Sequence, residues 1–285
     1  MEQTQTQFKA RIARRRDLQA VARLCRRAVG PRDYVLQILS ETINGNGLFL
    51  AYQGDKLAGI TNFERCIDGS AWLSMARTDP TVRRRGIALF LQQQIATHAK
   101  RKGISKLRLW TANTNKPSIK AIRKGGFKQV CEAAHISYHL RSGKLSSPVR
   151  PLNRASQIEL TSILQSKYLS QMNGYFAYEW HFVEASEPLL KLLLQRREMY
   201  SAGDSVFILT RPRRIFGDFE TSLTIMTGTV TGSLRDSVGI ANSLGARYVG
   251  AYIPHNRYLL RTAARLGFRS EHWGKHCLLF EKAIA

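Results

Sequence analysis

The sequence predicts an α/β fold built from mixed sheets flanked by helices and arranged as two domains in tandem. Three observations predict it. Segments with strand character and segments with helical spacing follow one another along the chain. At 285 residues and 44% hydrophobic content, with only 8 prolines, the chain has material for one large or two ordinary globular domains. The spacing of Asn115 to Phe127 also recurs from Asn256 to Phe268, each tract opening on asparagine, closing on Gly-Phe and following a strand. The expected domains are 1–140 and 155–285. They are joined by a linker, 141–154, whose Gly143, Ser146, Ser147, Pro148 and Pro151 break any periodicity.

In order, Lys9 to Ala13 reads as a strand and Asp17 to Val29 as a helix, with Leu18, Val21, Ala22, Leu24 and Cys25 at helical spacing before Gly30-Pro31. A second helix is expected over Tyr34 to Ile43. Hairpin strands follow at Gly47 to Tyr52 and Leu57 to Glu64, turning through Gln53-Gly54-Asp55. A strand near Trp72 to Thr78 leads into a basic turn. The next helix, Ile87 to Lys102, carries Ile87, Leu91, Ile95 and Ala99 one turn apart and stops at Gly103. Lys106 to Ala112 is the following strand, and Arg247 to Ile253 is its counterpart in the repeat.

The turn carries the chemistry. Asp79-Pro80-Thr81-Val82-Arg83-Arg84-Arg85-Gly86-Ile87-Ala88 places a glycine at a helix N-terminus. Unpaired N–H groups and the positive end of the helix dipole meet there, and no β-carbon stands in the way of a ligand. Such a turn is a pyrophosphate cradle. In the second half the corresponding stretch, Thr227 to Ser233, lacks both the basic residue and the spacing, and reads as a helix N-cap and turn, or else as an anion-binding nest of glycines and hydroxyls.

Asp-Pro-x-x-Arg-x-x-Gly-x-Ala before an amphipathic helix, with Asn115 upstream of Gly126-Phe127, resembles the GCN5-related N-acetyltransferase family over roughly residues 8 to 140. The resemblance implies acetyl-coenzyme A as cosubstrate, its pyrophosphate held by backbone N–H groups of Arg84, Arg85, Gly86, Ile87 and Ala88, with Arg83 at the family's Gln/Arg position. It also implies a bulge in the preceding strand, where Ala76 and Thr78 would meet the pantetheine arm. Asn115 and Ser118 match positions beside the pantetheine and thiol end. The second half would then be a degenerate copy of the same domain. The sequence departs from the family at Ile122, where many members carry the tyrosine that protonates the leaving thiolate. The strand before the turn likewise supplies no glutamate.

Substitutes for that proton chemistry are Glu64, the best carboxylate for deprotonating an amine, and Tyr138, near His135 and His139, as thiolate acid. Alternation sets the two histidines on one strand face and Tyr138 on the other. His98 reads as packed or solvent-facing. Cys25, Cys66, Cys131 and Cys277 are scattered without C-x-x-C spacing and read as buried thiols, so neither a disulfide framework nor a metal is expected.

With 44 basic and 20 acidic residues the formal net charge is +24, about two-thirds of it before residue 140. A polyanionic cosubstrate accounts for part of this excess. The remainder suits a nucleic acid or a ribosome, or is a solvated basic surface; Lys116, Lys120 and Lys124, mirrored by Arg257, Arg261 and Arg265, form such a stripe. No apolar run approaches the ~18 residues of a membrane span, so a cytoplasmic protein without a membrane partner is expected. The leading expectation is transfer of acetyl to a small-molecule or peptide amine by direct attack. The alternatives are an aminoacyl-tRNA-dependent or RNA-associated transferase, a non-catalytic acyl-coenzyme A or nucleic-acid binder, and a structural pseudoenzyme.

Overall fold

A computed structural model describes residues 8–140, 149–215, 217–270 and 276–284. These fall into two compact units, the first within Met1–Leu109, Lys116–Lys128 and Phe280–Ala285, the second within Trp110–Asn115 and Gln129–Leu279.

The first half of the chain runs β1 (Phe8–Ile12), α1 (Leu18–Ala28), α2 (Val35–Asn44), β2 (Leu48–Gln53), β3 (Lys56–Arg65), β4 (Ala71–Thr78), α3 (Ile87–Arg101), β5 (Lys106–Ala112), α4 (Lys116–Lys124) and β6 (Lys128–His139). Strands β1 to β4 form an antiparallel meander, with β1 starting at Phe8 opposite Gln53 of β2. One sheet face buries Val21, Leu24 and Cys25 of α1 and Leu39 and Ile43 of α2 against Leu48, Leu50, Ile60 and Met75. Helix α3 turns Ile87, Leu91, Ile95 and Ala99 inward, as their one-turn spacing requires. Gly59 lets it approach β3, since a β-carbon there would stand 2.6 Å from Cγ2 of Ile87.

The strand that completes this unit comes from the far end of the chain. Ile284 donates its backbone N–H to Ser105 at 2.8 Å, Glu281 pairs with Arg108 at 2.7 Å, and Lys282 reaches the carbonyl of Gly125 at 2.8 Å. Meanwhile β6, although it follows α4 directly, enters the second unit from Gln129 onward.

The second half contains α5 (Gln157–Leu164), α6 (Lys167–Gln171), β7 (Tyr175–Tyr178), β8 (His181–Glu184), α7 (Glu187–Gln195), β9 (Met199–Ala202), β10 (Ser205–Leu209), β11 (Arg213–Ile215), β12 (Asp218–Thr227), α8 (Val230–Ser243), β13 (Tyr248–Pro254), α9 (Arg257–Arg265), β14 (Arg269–Ser270) and β15 (Cys277–Ala283). Strands β9, β10, β12, β13 and β6 are successive neighbours, with β12 and β13 parallel. Strand β6 lies antiparallel to β13 from His139 opposite Tyr248 to Ala133 opposite Pro254. The hairpin β7–β8 forms its own two-stranded sheet.

The sequence repeat is thus a repeat of structure: β12–α8–β13–α9 follows the order β4–α3–β5–α4, and both tracts end on a buried phenylalanine, Phe127 and Phe268. The expected linker is described only from Val149, since 141–148 lie outside the described residues. Among the described residues, no helix is long and apolar enough to cross a membrane.

Candidate cofactor site

Two features of β4 open a site in the first unit. Against β5 it pairs at Ala71 with Leu107 and Trp72 with Arg108, and among the described residues no β5 pairing is recorded for β4 beyond Trp72. Against β3 its register slips between Ile60 and Asn62, and opposite the slip Met75 takes a positive φ of 57° with its side chain buried. This is a β-bulge, which re-aims the backbone of the residues after it. Ala76, which is exposed, and the half-buried Thr78 lie in that stretch.

The turn after β4 is anchored below and open above. Asp79, whose side chain is fully buried, accepts hydrogen bonds from the backbone N–H and hydroxyl of Thr81 at 3.0 and 2.7 Å and pairs with Arg27 at 2.7 Å. Burial pushes its carboxyl up, but the two Thr81 bonds and Arg27 outweigh that and leave it at about 2. Arg83 folds back and donates to the carbonyl of Ala28, at the end of α1, at 2.9 Å. Arg84 and Gly86 take positive φ values of 66° and 88°, and Arg84 and Arg85 are exposed. Gly86 is the N-cap of α3 and no side chain caps it; a β-carbon there would meet nothing within 4 Å. The N–H groups of Ile87 and Ala88 therefore belong to an open helix N-terminus ringed by arginine, a geometry that receives a phosphate.

Of the remaining predicted residues, Ser118 sits half-buried on α4, and Asn115, exposed, precedes that helix with its N–H donated to Ala112 at 2.9 Å. Ser118 falls in the first unit and Asn115 in the second. Glu64 is exposed on β3, opposite Trp72 of β4, the last residue to pair with β5. Tyr138 lies in the second unit with its ring 5.2 Å from that of Phe268. Ile122 is buried on α4.

His98 is wedged edge-on between Phe49 and Phe63 at 5.2 and 5.3 Å, and burial, with Lys102 and Arg101 nearby, lowers its pKa. All four cysteines are free and buried. Burial pushes Cys131 up to about 12, which removes it as a thiolate nucleophile.

Sequence reasoning missed the group that holds the fork. Arg108, almost wholly buried on β5, pairs with Asp68 and with Glu281 and donates to the Ser70 hydroxyl at 2.8 Å. A charged residue inside an apolar strand was the signal available. Its partners are set by folding, and Glu281 lies 173 residues away.

The matching turn in the second unit is closed. Thr229 caps α8 by accepting from the N–H of Gly232 at 3.3 Å, its own N–H is donated to Ser205 Oγ at 3.0 Å, and the Tyr168 hydroxyl donates to the carbonyl of Gly228 at 3.0 Å. Asp204 lines the same recess.

The profile of the Acetyltransferase (GNAT) family matches residues 16–127. A search of curated proteins finds no match. Among solved structures, a candidate acetyltransferase of Thermoplasma acidophilum is similar at TM-score 0.60 and 14% identity, over 96% of this chain and 99% of that one. A GCN5-related N-acetyltransferase of Sphaerobacter thermophilus is similar at TM-score 0.58 and 12% identity, over 97% and 96%. A glucosamine N-acetyltransferase region in a fungal multi-domain enzyme also aligns at TM-score 0.58 and 11% identity, over 97% of this chain and 38% of that one. At these identities the likeness concerns the fold, and it extends over both halves of the chain.

Proposed function

We propose that the GNAT acetyltransferase domain this chain carries at residues 16–127 binds acetyl-coenzyme A at the turn Arg84–Ala88 and transfers its acetyl group directly to an amine. The observation that carries the reading is the uncapped N-terminus of α3, where Gly86 leaves open space next in sequence to the exposed Arg84 and Arg85. The pyrophosphate takes the backbone N–H groups, Arg84 and Arg85 screen its charge, and the pantetheine arm runs along the edge of β4 past Ala76 and Thr78 toward Ser118.

The amine lone pair attacks the thioester carbonyl, whose developing oxyanion is met by a β4 backbone N–H beyond the bulge. The C–S bond breaks and coenzyme A leaves as thiolate. Glu64 takes the proton lost by the nitrogen, directly or through water, and the thiolate draws its proton from solvent in place of the missing tyrosine. Tyr138, packed on Phe268, is given no step. In this scheme the second half is a degenerate copy of the first that keeps its fold and binds no coenzyme.

Calorimetric titration of nucleic-acid-free protein with acetyl-coenzyme A tests the reading. One site per chain, lost in Gly86→Val, is the expected result, followed by acetyl-coenzyme A-dependent thiol release in an amine screen. Unchanged affinity in Gly86→Val sinks the site assignment. Glu64→Gln should lower kcat at least about 100-fold with little change in KM if Glu64 is the base.

A second reading concerns the acceptor. The formal charge of +24 exceeds what one coenzyme needs, and the basic faces of α4 and α9 are solvent-exposed at Lys116, Lys120, Lys124, Arg257, Arg261 and Arg265. An acceptor or partner bearing phosphates fits that surface. Nucleic-acid binding that weakens steeply with salt, and weakens again on charge reversal of α4, would support it.

A further inference from the structure

Outside the coenzyme site, the second unit brings together three side chains that metals favour. Glu132 lies on β6, His255 follows the end of β13, and His276 enters β15. One ligand atom from each falls within 4.8 Å of the other two. Glu132 Oε2 stands 3.3 Å from His276 Nε2, and the two imidazole rings face each other with centroids 4.1 Å apart.

Those separations have a simple meaning. Around a tetrahedral zinc, with bonds of roughly 2.0–2.2 Å to nitrogen and oxygen, neighbouring ligand atoms are about 3.4 Å apart. The Glu132–His276 pair already has that spacing, and a ligand atom of His255 lies within 4.8 Å of both. Two imidazoles and one carboxylate from three protein segments make a donor set of borderline character, suited to zinc-class divalent ions rather than to calcium or magnesium. Glu132 and His255 also line an open cavity of about 530 Å³ together with Gln129, Gln171, Asn173 and Asn256, which leaves room for water on a fourth position.

We infer that Glu132, His255 and His276 form a binding site for a zinc-class divalent cation, three protein ligands and one water, in the second unit. No motif spacing announces it, because the ligands are 123 and 21 residues apart in sequence (132 to 255, and 255 to 276) and converge only through strand pairing. The ion joins β6, the β13–α9 connection and the entry to β15. It therefore stabilises the folded state by mass action, with no step in acetyl transfer.

The test uses the full chain stripped with chelator. Titration with Co2+ should give the intense visible bands of a tetrahedral N/O site at one ion per chain, and Zn2+ should displace it. Zn2+ should also raise the melting temperature. Glu132→Gln and His255→Gln, made singly at exposed positions, should weaken Co2+ binding by at least about tenfold and abolish the melting shift while circular dichroism stays unchanged. In the unmutated protein, Zn2+ should move the imidazole NMR resonances of His255 and His276, a readout that survives if a variant misfolds. Absent bands with unmoved resonances, or equal binding by the variants, would overturn the inference.

Discussion

The two halves of this chain place a helix after a strand in the same way, and then treat the helix N-terminus in opposite ways. After β4 the chain passes through Asp79–Gly86 before α3 begins, and the N-terminus is left uncapped with three arginines beside it. After β12 only Gly228 and Thr229 precede α8, and Thr229 and Ser205 accept from the Gly232 and Thr229 N–H groups that an anion would otherwise use. The forks differ in the same sense. Among the described residues β4 pairs with β5 to Trp72 and Arg108, whereas β12 and β13 remain paired to Leu223 and Ala251, and beyond them Thr224 is bonded to Ala177 of β7 while Tyr252 packs against Phe182 of β8 at 5.0 Å. The same strand–helix–strand order can therefore carry an uncapped helix N-terminus in one half and a side-chain-capped one in the other.

The largest test of that contrast exchanges the residue at the fork. Arg108→Ala gives the first fork the small apolar residue of the second, but leaves the largely buried carboxylates of Asp68 and Glu281 without Arg108. A loss of about 3–5 kcal/mol is expected from chemical denaturation. A loss below about 1 kcal/mol would mean that the charged fork is not what holds β5 and the end of the chain together.

Next comes binding. Gly86→Val should weaken acetyl-coenzyme A by at least about 100-fold, near 2.7 kcal/mol, since a branched side chain resists φ 88° and fills the open space. Thr229→Ala should leave that affinity unchanged. If the second-turn variant also loses binding, the contrast between open and closed turns is wrong.

The pH dependence is smaller and belongs to the first turn alone. Asp79 is held at about 2, below its ordinary value of 3.8. A carboxyl depressed in the folded state stabilises the protein above its unfolded pKa, and that stability is lost as pH falls from about 4 toward 2. Asp79→Asn should therefore cost about 2 kcal/mol at neutral pH and flatten the acid limb of a stability profile. The limb will not vanish, because Asp17, bonded to Arg11, also lies at about 2. In the second half the turn is Gly228 and Thr229, neither of which titrates in this range.

Which of these features could be read from the chain follows from their range. The β4–α3 turn was legible because proline, glycine and arginine act locally, and helical spacing set the bounds of α3 to within one residue. Strand β5 was likewise read at Lys106–Ala112. The bulge was expected only from the family resemblance; its place at Met75 depends on pairing with β3. Long-range pairing also hid the use of residues 280–284 to complete the first unit, the burial of Arg108 between Asp68 and Glu281, and the meeting of Glu132, His255 and His276. Composition marks such residues as candidates but carries no information about which strand will lie beside which.

The smallest effect bears on why the second turn is closed. Thr229 accepts from the Gly232 N–H, so Thr229→Ala should cost about 1 kcal/mol of stability, as losing a helix N-cap does. Opening that N-terminus does not by itself make an anion site, because Asp204 and the carbonyl of Gly228 remain in the recess and no arginine replaces Arg84 or Arg85. The expected titration of Thr229→Ala with acetyl-coenzyme A thus still shows one site per chain. A second site would mean that the Thr229 cap alone excludes the ligand, rather than the short turn and the missing charge.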